Sequence, residues 1–208
     1  LVLATLAASS PDASASSPDP SAVPPSPNGL TAEEHAAGWR LLFDGKTTKA
    51  WRSFRGTNFP ASGWIVEDGW LKHPARAGGG DIVTLESYED FELAWEWRIP
   101  KGANNGVKYL VRSARNGAIG HEYQMIDDST VGSPKGKTAA FYDVLPRQGG
   151  SAPRLAPESN HSRILVRGRH VEHWLNGEQV LAYELDSPAL RAAVASSKFR
   201  SVSRFGAK

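Results

Sequence analysis

At 208 residues the chain has room for one domain with a full core, and its formal net charge of +2 comes from both signs mixed, without a basic block. That mixture excludes the footprint of a nucleic-acid or anionic-membrane protein. The absence of cysteine excludes disulfides, thiolate metal sites and a lipid-anchoring thiol.

The chain opens on Leu1-Val-Leu-Ala-Thr-Leu-Ala-Ala8, which resembles the apolar core of a secretory signal, followed by a small-x-small cleavage site at Ala13-Ser-Ala15. Export to the periplasm or beyond the cell is the expectation. The run is too short to span a bilayer, and no membrane span is expected. Residues 9–27 are almost all Ser, Pro, Ala and Asp, a composition that cannot bury enough apolar surface to order itself. Residues 1–28 are therefore expected to be a signal-like remnant and disordered linker, and residues 29–208 a single domain.

Thr31-Ala-Glu-Glu34 is a capping box, so a short helix should open the domain and end at Gly38. Trp39 to Phe43 reads as a strand, and Gly63 to Leu71 as a hairpin turning at Asp68-Gly69. Further strands are expected at residues 82–85, 91–99, 106–112, 121–126, 140–144, 162–168, 170–175 and 179–184. Turns are expected at Asn104-Asn105-Gly106, at Gly168 and at Asn176-Gly177. Ser187-Pro188 caps a second helix. Many short strands without βαβ alternation predict an all-β protein of two packed antiparallel sheets, a sandwich or jelly roll.

The alternation is most informative between Asp90 and Asp127. Phe91, Leu93, Trp95, Trp97 and Ile99 fall on one side of their strand, and Glu92, Ala94, Glu96 and Arg98 on the other. Lys108 alternates with Val107 and Tyr109, and Glu122 and Gln124 with Tyr123 and Met125. If these strands are neighbours in one sheet, Glu96, Arg98, Lys108, Glu122 and Gln124 form one polar patch.

Several segments carry a resemblance to a known family: Trp39-Arg-Leu-Leu-Phe-Asp-Gly-Lys46, Gly63-Trp-Ile-Val-Glu-Asp-Gly69, Gly80-Asp-Ile-Val-Thr84, Tyr88-Glu-Asp-Phe-Glu-Leu93, Asn104-Asn-Gly106, Glu122-Tyr-Gln-Met-Ile-Asp127, Ala139-Ala-Phe-Tyr-Asp143 and His173-Trp-Leu-Asn-Gly177. In this order they resemble the 3-keto-disaccharide hydrolase domain family, which implies a concanavalin A-like jelly roll. The chain departs from the family pattern in two places. Pro157-Glu-Ser-Asn160 stands where the family usually has Gly-Glu-Trp-Asn, and nothing after Phe205-Gly206 matches the family's Gln-Asp-His-Gly segment and closing strand. A jelly roll lacking its closing strand is the resulting expectation.

The resemblance implies a carbohydrate-active enzyme acting on a small glycoside with a ketone at C3. That ketone acidifies the C2 proton, so a base can remove it and the anomeric substituent can leave. Glu122 is the candidate base, with Glu96 or His173 as acid, and Lys108 or Arg98 to hold the oxyanion. Gln124, Asn105, Asp127, Tyr142 and Trp174 are candidate substrate contacts, Trp174 as a stacking platform. Two other readings stay open: conventional hydrolysis by the paired carboxylates Glu96 and Glu122, or a lectin-like module that binds sugar without cleaving it. No metal or cofactor is assigned, although Asp81, Asp127 and Glu122 leave room for a hard divalent cation. Oligomeric state is not assigned.

Overall fold

The computed structural model describes residues 2–9 and 28–207. The strands are β1 (Val2–Ser9), β2 (Arg40–Phe43), β3 (Trp51–Ser53), β4 (Ile65–Glu67), β5 (Trp70–Lys72), β6 (Ile82–Thr84), β7 (Phe91–Arg98), β8 (Asn104–Tyr109), β9 (His121–Ile126), β10 (Asn160–Arg167), β11 (His170–Leu175) and β12 (Glu178–Glu184). Two α-helices, α1 (Ala32–Ala36) and α2 (Pro188–Ala195), sit at the margins. All described pairings are antiparallel.

One large sheet runs β12-β11-β10-β7-β1-β5-β4, with β2 also on β1. The opposing layer is in two pieces, β3–β6 and β8–β9. The core lies between them. Trp95 meets Tyr123 edge to face at 4.9 Å and gives its indole N–H to the Met125 sulfur, while Phe91 meets Tyr109 at 6.3 Å. Trp97, Ile99, Tyr123, Met125, Phe141 and Ile164 are fully buried, which at roughly 1.5–3 kcal/mol per large apolar side chain makes this interface the main stabilising element.

Local chemistry explains most boundaries. The Thr31 hydroxyl accepts from the Glu34 N–H at 3.0 Å and Glu34 Oε2 accepts from the Thr31 N–H at 2.7 Å, a closed capping box. Ser187 caps α2 through the Leu190 N–H. The β4–β5 and β11–β12 hairpins turn at Asp68-Gly69 and Asn176-Gly177, pairs with φ of 53°, 77°, 49° and 87°, the left-handed values that Asp, Asn and Gly accept most readily.

Two expectations change. Asn104-Asn105-Gly106 is the start of β8 and not a turn; the chain reverses earlier, at Lys101-Gly102, where Gly102 has φ 74°. Residues 140–144 form a tight loop, bridged at Phe141 to Tyr123, instead of a strand. Val2–Ser9 hydrogen-bonds between β7 and the pair β2 and β5. Residues 10–27, the expected disordered linker, lie outside the described residues. After α2 no strand follows among the described residues, but Phe205 is buried, stacked on Phe199 at 4.2 Å, and its carbonyl accepts from the His121 imidazole at 2.6 Å.

Candidate functional site

β8 and β9 pair with Lys108 opposite Glu122, Gly106 opposite Gln124 and Asn104 opposite Ile126. Tyr123 and Met125 point into the core, so period-2 alternation turns Glu122 and Gln124 to the outside of the β8–β9 layer, together with Lys108. On its other side β9 is held by the loop after it. Gln124 N–H donates to the Ala140 carbonyl, Ala139 N–H to the Gln124 carbonyl, and Tyr142 N–H to the Glu122 carbonyl at 3.0 Å.

Gly106 lies beneath the carboxylate. A Cβ there would stand 2.4 Å from Glu122 Oε1, so only the missing side chain lets Glu122 fold over β8. Burial raises the Glu122 pKa above its ordinary value, while the positive charges of Lys108 and Lys198 draw it partly back and Asp81 pushes it up. Lys108 bridges to Asp81 at 3.4 Å. Lys198 places its ammonium 3.9 Å from the centre of the Tyr142 ring, and its backbone N–H is held by Asp143 at 2.7 Å. Beside these groups, Gln124 is buried and its Oε1 has no hydrogen-bond partner among the described residues. An orphaned buried amide oxygen costs about 1–3 kcal/mol.

The remaining expected site residues are elsewhere, because β7 and β9 belong to opposite layers. Glu96 and Arg98 face outward from the large sheet, on the far side of the sandwich from Glu122. There Arg98 covers Trp70 at 4.3 Å and donates to Ser159, and the Glu96 backbone lies opposite His161 in the β7–β10 register. Trp174 shares that distant face: Arg163 stacks on it at 4.3 Å while pairing with Glu92 at 2.6 Å, and the Trp174 indole N–H donates to Glu172.

His173 is in neither face. It is fully buried in the core, with Nδ1 on the Ala139 carbonyl at 2.8 Å and Nε2 on the Tyr109 hydroxyl at 2.6 Å, and burial pushes its pKa down to about 4. It cannot act as an acid on a surface ligand. Asp127 is spent on turn capping, accepting from Gly102 N–H, Ser129 N–H and the Ser129 hydroxyl. Asn105 Oδ1 accepts from the Gly106 N–H; by register it is Asn104 that shares the face of Glu122. The single expected patch is thus three separate places, of which one holds Glu122, Gln124, Lys108 and Tyr142. Lys198 and Gly106 were not legible as partners, since only tertiary folding brings Lys198, 76 positions after Glu122, beside it and folds Glu122 over Gly106.

Among the described residues no group of three or more His, Asp and Glu is gathered as a metal ion requires, and no helix is long and apolar enough to cross a membrane.

Residues 38–203 match the family model of 3-keto-alpha-glucoside-1,2-lyase-like domains. A 3-keto-disaccharide hydrolase from Bacteroides thetaiotaomicron is 31% identical over 189 residues, which cover 79% of this chain and 64% of that protein, so the chain spans under two thirds of its relative. The crystal structure of a candidate glycosyl hydrolase from Parabacteroides distasonis superposes with a TM-score of 0.75 at 31% identity, covering 86% of this chain and 87% of the other. A second from the same organism gives a TM-score of 0.52 at 28% identity, over 65% and 72% of the two chains.

Proposed function

Because this chain belongs to the 3-keto-alpha-glucoside-1,2-lyase-like domain family, we propose that its Glu122 face cleaves 3-keto-glycosides. The observation that carries the reading is a buried carboxylate of raised proton affinity, Glu122, folded over Gly106 and opposite Lys108. Glu122 takes the proton from C2. The C–H electron pair becomes the C1=C2 bond, the bond from C1 to the anomeric oxygen breaks, and that oxygen leaves with its electrons and takes a proton. Water then adds across C1=C2, its hydroxyl to C1 and its proton to C2, which restores the 3-keto sugar and makes the net change a hydrolysis.

A base with raised proton affinity suits the first step, since it takes the C2 proton more readily than an ordinary carboxylate. Lys108 and Lys198 supply the two cationic needs: one ammonium holds the enolate oxygen, the other protonates the departing oxygen. The Tyr142 ring, fixed beneath Lys198, forms one wall.

The layering argues against hydrolysis by paired Glu96 and Glu122. Such a pair must stand about 5–9.5 Å apart. Packed sheets are about 10 Å apart, and these two side chains point away from each other on opposite outer faces.

The test is release of the aglycone from a 3-keto-glucoside and from its unoxidised parent. Release from the ketone alone, reduced at least about a hundredfold by Glu122→Gln with binding retained, is expected. Equal rates on both substrates would reject the elimination. Binding without turnover in the wild type, weakened by Glu122→Gln, would make the face a lectin site.

A further inference from the structure

The outer layer is split between β6 and β8, whose facing edges are not paired with each other. The split opens a slot of about 370 Å³ walled by Trp51, Phe54, Ile82 and Val107. It reaches through the layer to the inner face of β7. Along that face exposure rises toward the slot, from 0% at Trp97 and 2% at Trp95 to 9% at Leu93 and 7% at Phe91, which form its floor. A gap of this kind in a packed sandwich leaves apolar surface wet, at roughly 25 cal/mol per Å², unless something fills it.

The slot adjoins the candidate site along β8. Gly106 and Lys108 line it, and the same two residues carry the Glu122 carboxylate and flank it in register. Its mouth is polar: Asp81 and Lys108 pair across it, from β6's edge to β8. A sugar ring held at Glu122 therefore has an apolar recess on the β6 side and the Lys198–Tyr142 wall on the other.

Resting on the assignment of Glu122 as base, we propose that this slot receives the departing half of the glycoside, and that it selects an apolar, ring-bearing aglycone over a hydroxylated sugar. Most of the lining is aromatic and aliphatic surface, with Arg52, Thr84, Glu86 and Asn105 among its polar members, the pattern of a small-molecule pocket in which apolar burial gives affinity and a limited set of polar groups fixes orientation. The volume lies within the usual range for such pockets, about 300–1,000 Å³.

The experiment measures equilibrium binding of 4-methylumbelliferone, an aryl alcohol, and of glucose to the wild type and to Ile82→Trp and Thr84→Trp, which fill the slot from β6. Turnover of 3-keto-glucosides carrying an aryl or a glucosyl aglycone is measured in parallel. At least tenfold tighter binding of the aryl alcohol than of glucose is expected. Either Trp substitution should abolish aryl binding, and raise KM for the aryl substrate about tenfold or more with kcat less affected. Aryl binding that survives both substitutions, or a wild type that binds the aryl alcohol no better than glucose, overturns the proposal. If aryl binding is slot-dependent but no 3-keto-glycoside is cleaved, the slot stands and the Glu122 assignment falls; if cleavage depends on Glu122 but not on the slot, the reverse holds.

Discussion

Five short contacts run through the core: Ala139 O to His173 Nδ1, His173 Nε2 to Tyr109 Oη, Tyr109 Oη to Tyr183 Oη at 2.7 Å, Tyr183 Oη to His121 Nδ1, and His121 Nε2 to Phe205 O. Carbonyls only accept, so each neutral imidazole donates to its carbonyl and accepts at its other nitrogen. Tyr109 must then donate to His173, and Tyr183 to His121, which leaves the contact between the two hydroxyls without a proton. Burial holds both imidazoles neutral, His121 down to about 3, helped by the charges of Arg115 and Arg112, and His173 down to about 4. In the unfolded chain both titrate near the ordinary value of about 6.5. Between there and pH 4 the unfolded state binds more protons, so stability is fully present above about pH 6.5 and falls as pH falls. At about 1.4 kcal/mol per pH unit and per histidine, lowering the pH from 7.5 to 5.0 removes about 2 kcal/mol for each, about 4 kcal/mol together, a large part of an ordinary domain's stability of about 5–15 kcal/mol. Urea unfolding at the two pH values measures it. His173→Gln, which keeps one donor and one acceptor, should lose about half of the dependence. A wild type equally stable at both pH values, or a variant with undiminished pH dependence, would refute the buried neutral chain.

Because no proton lies between the hydroxyls, a double-mutant cycle of Tyr109→Phe and Tyr183→Phe at pH 7.5 should give a coupling near zero or unfavourable; a favourable coupling of about 1 kcal/mol would mean a hydrogen bond there. Gly106→Ala puts a methyl group into the space of Glu122 Oε1, so kcat should fall about tenfold or more while the urea midpoint changes little, and unchanged kcat would separate the carboxylate's position from the reaction. Glu96→Gln and Trp174→Ala alter only the far face, and turnover within about twofold of wild type is expected from both; a large loss in either would reject the separation of the two faces.

The sequence by itself determined much of the secondary structure and the fold class. The capping box at Thr31, the Ser187-Pro188 helix start and the Asp68-Gly69 and Asn176-Gly177 turns are local devices, decided by a few neighbouring atoms, and they form as read. Alternation likewise sorted each strand correctly: Phe91, Leu93, Trp95 and Trp97 face inward, and Glu122 faces away from Tyr123. Tertiary structure decided which polar faces meet. Alternation assigns a side chain to one face of its own strand but carries no information about the layer that the strand joins. With β7 in the large sheet and β9 in the other, Glu96 and Glu122 point to opposite sides of the molecule, although both alternate with core residues. His173 follows the same rule: its polarity suggested a site, but its inward parity placed it among Tyr109, Tyr123 and Tyr183. The partners of Glu122 come from long-range packing, which sets Lys198 over Tyr142 and lets Glu122 fold over Gly106, contacts that no spacing along the chain encodes.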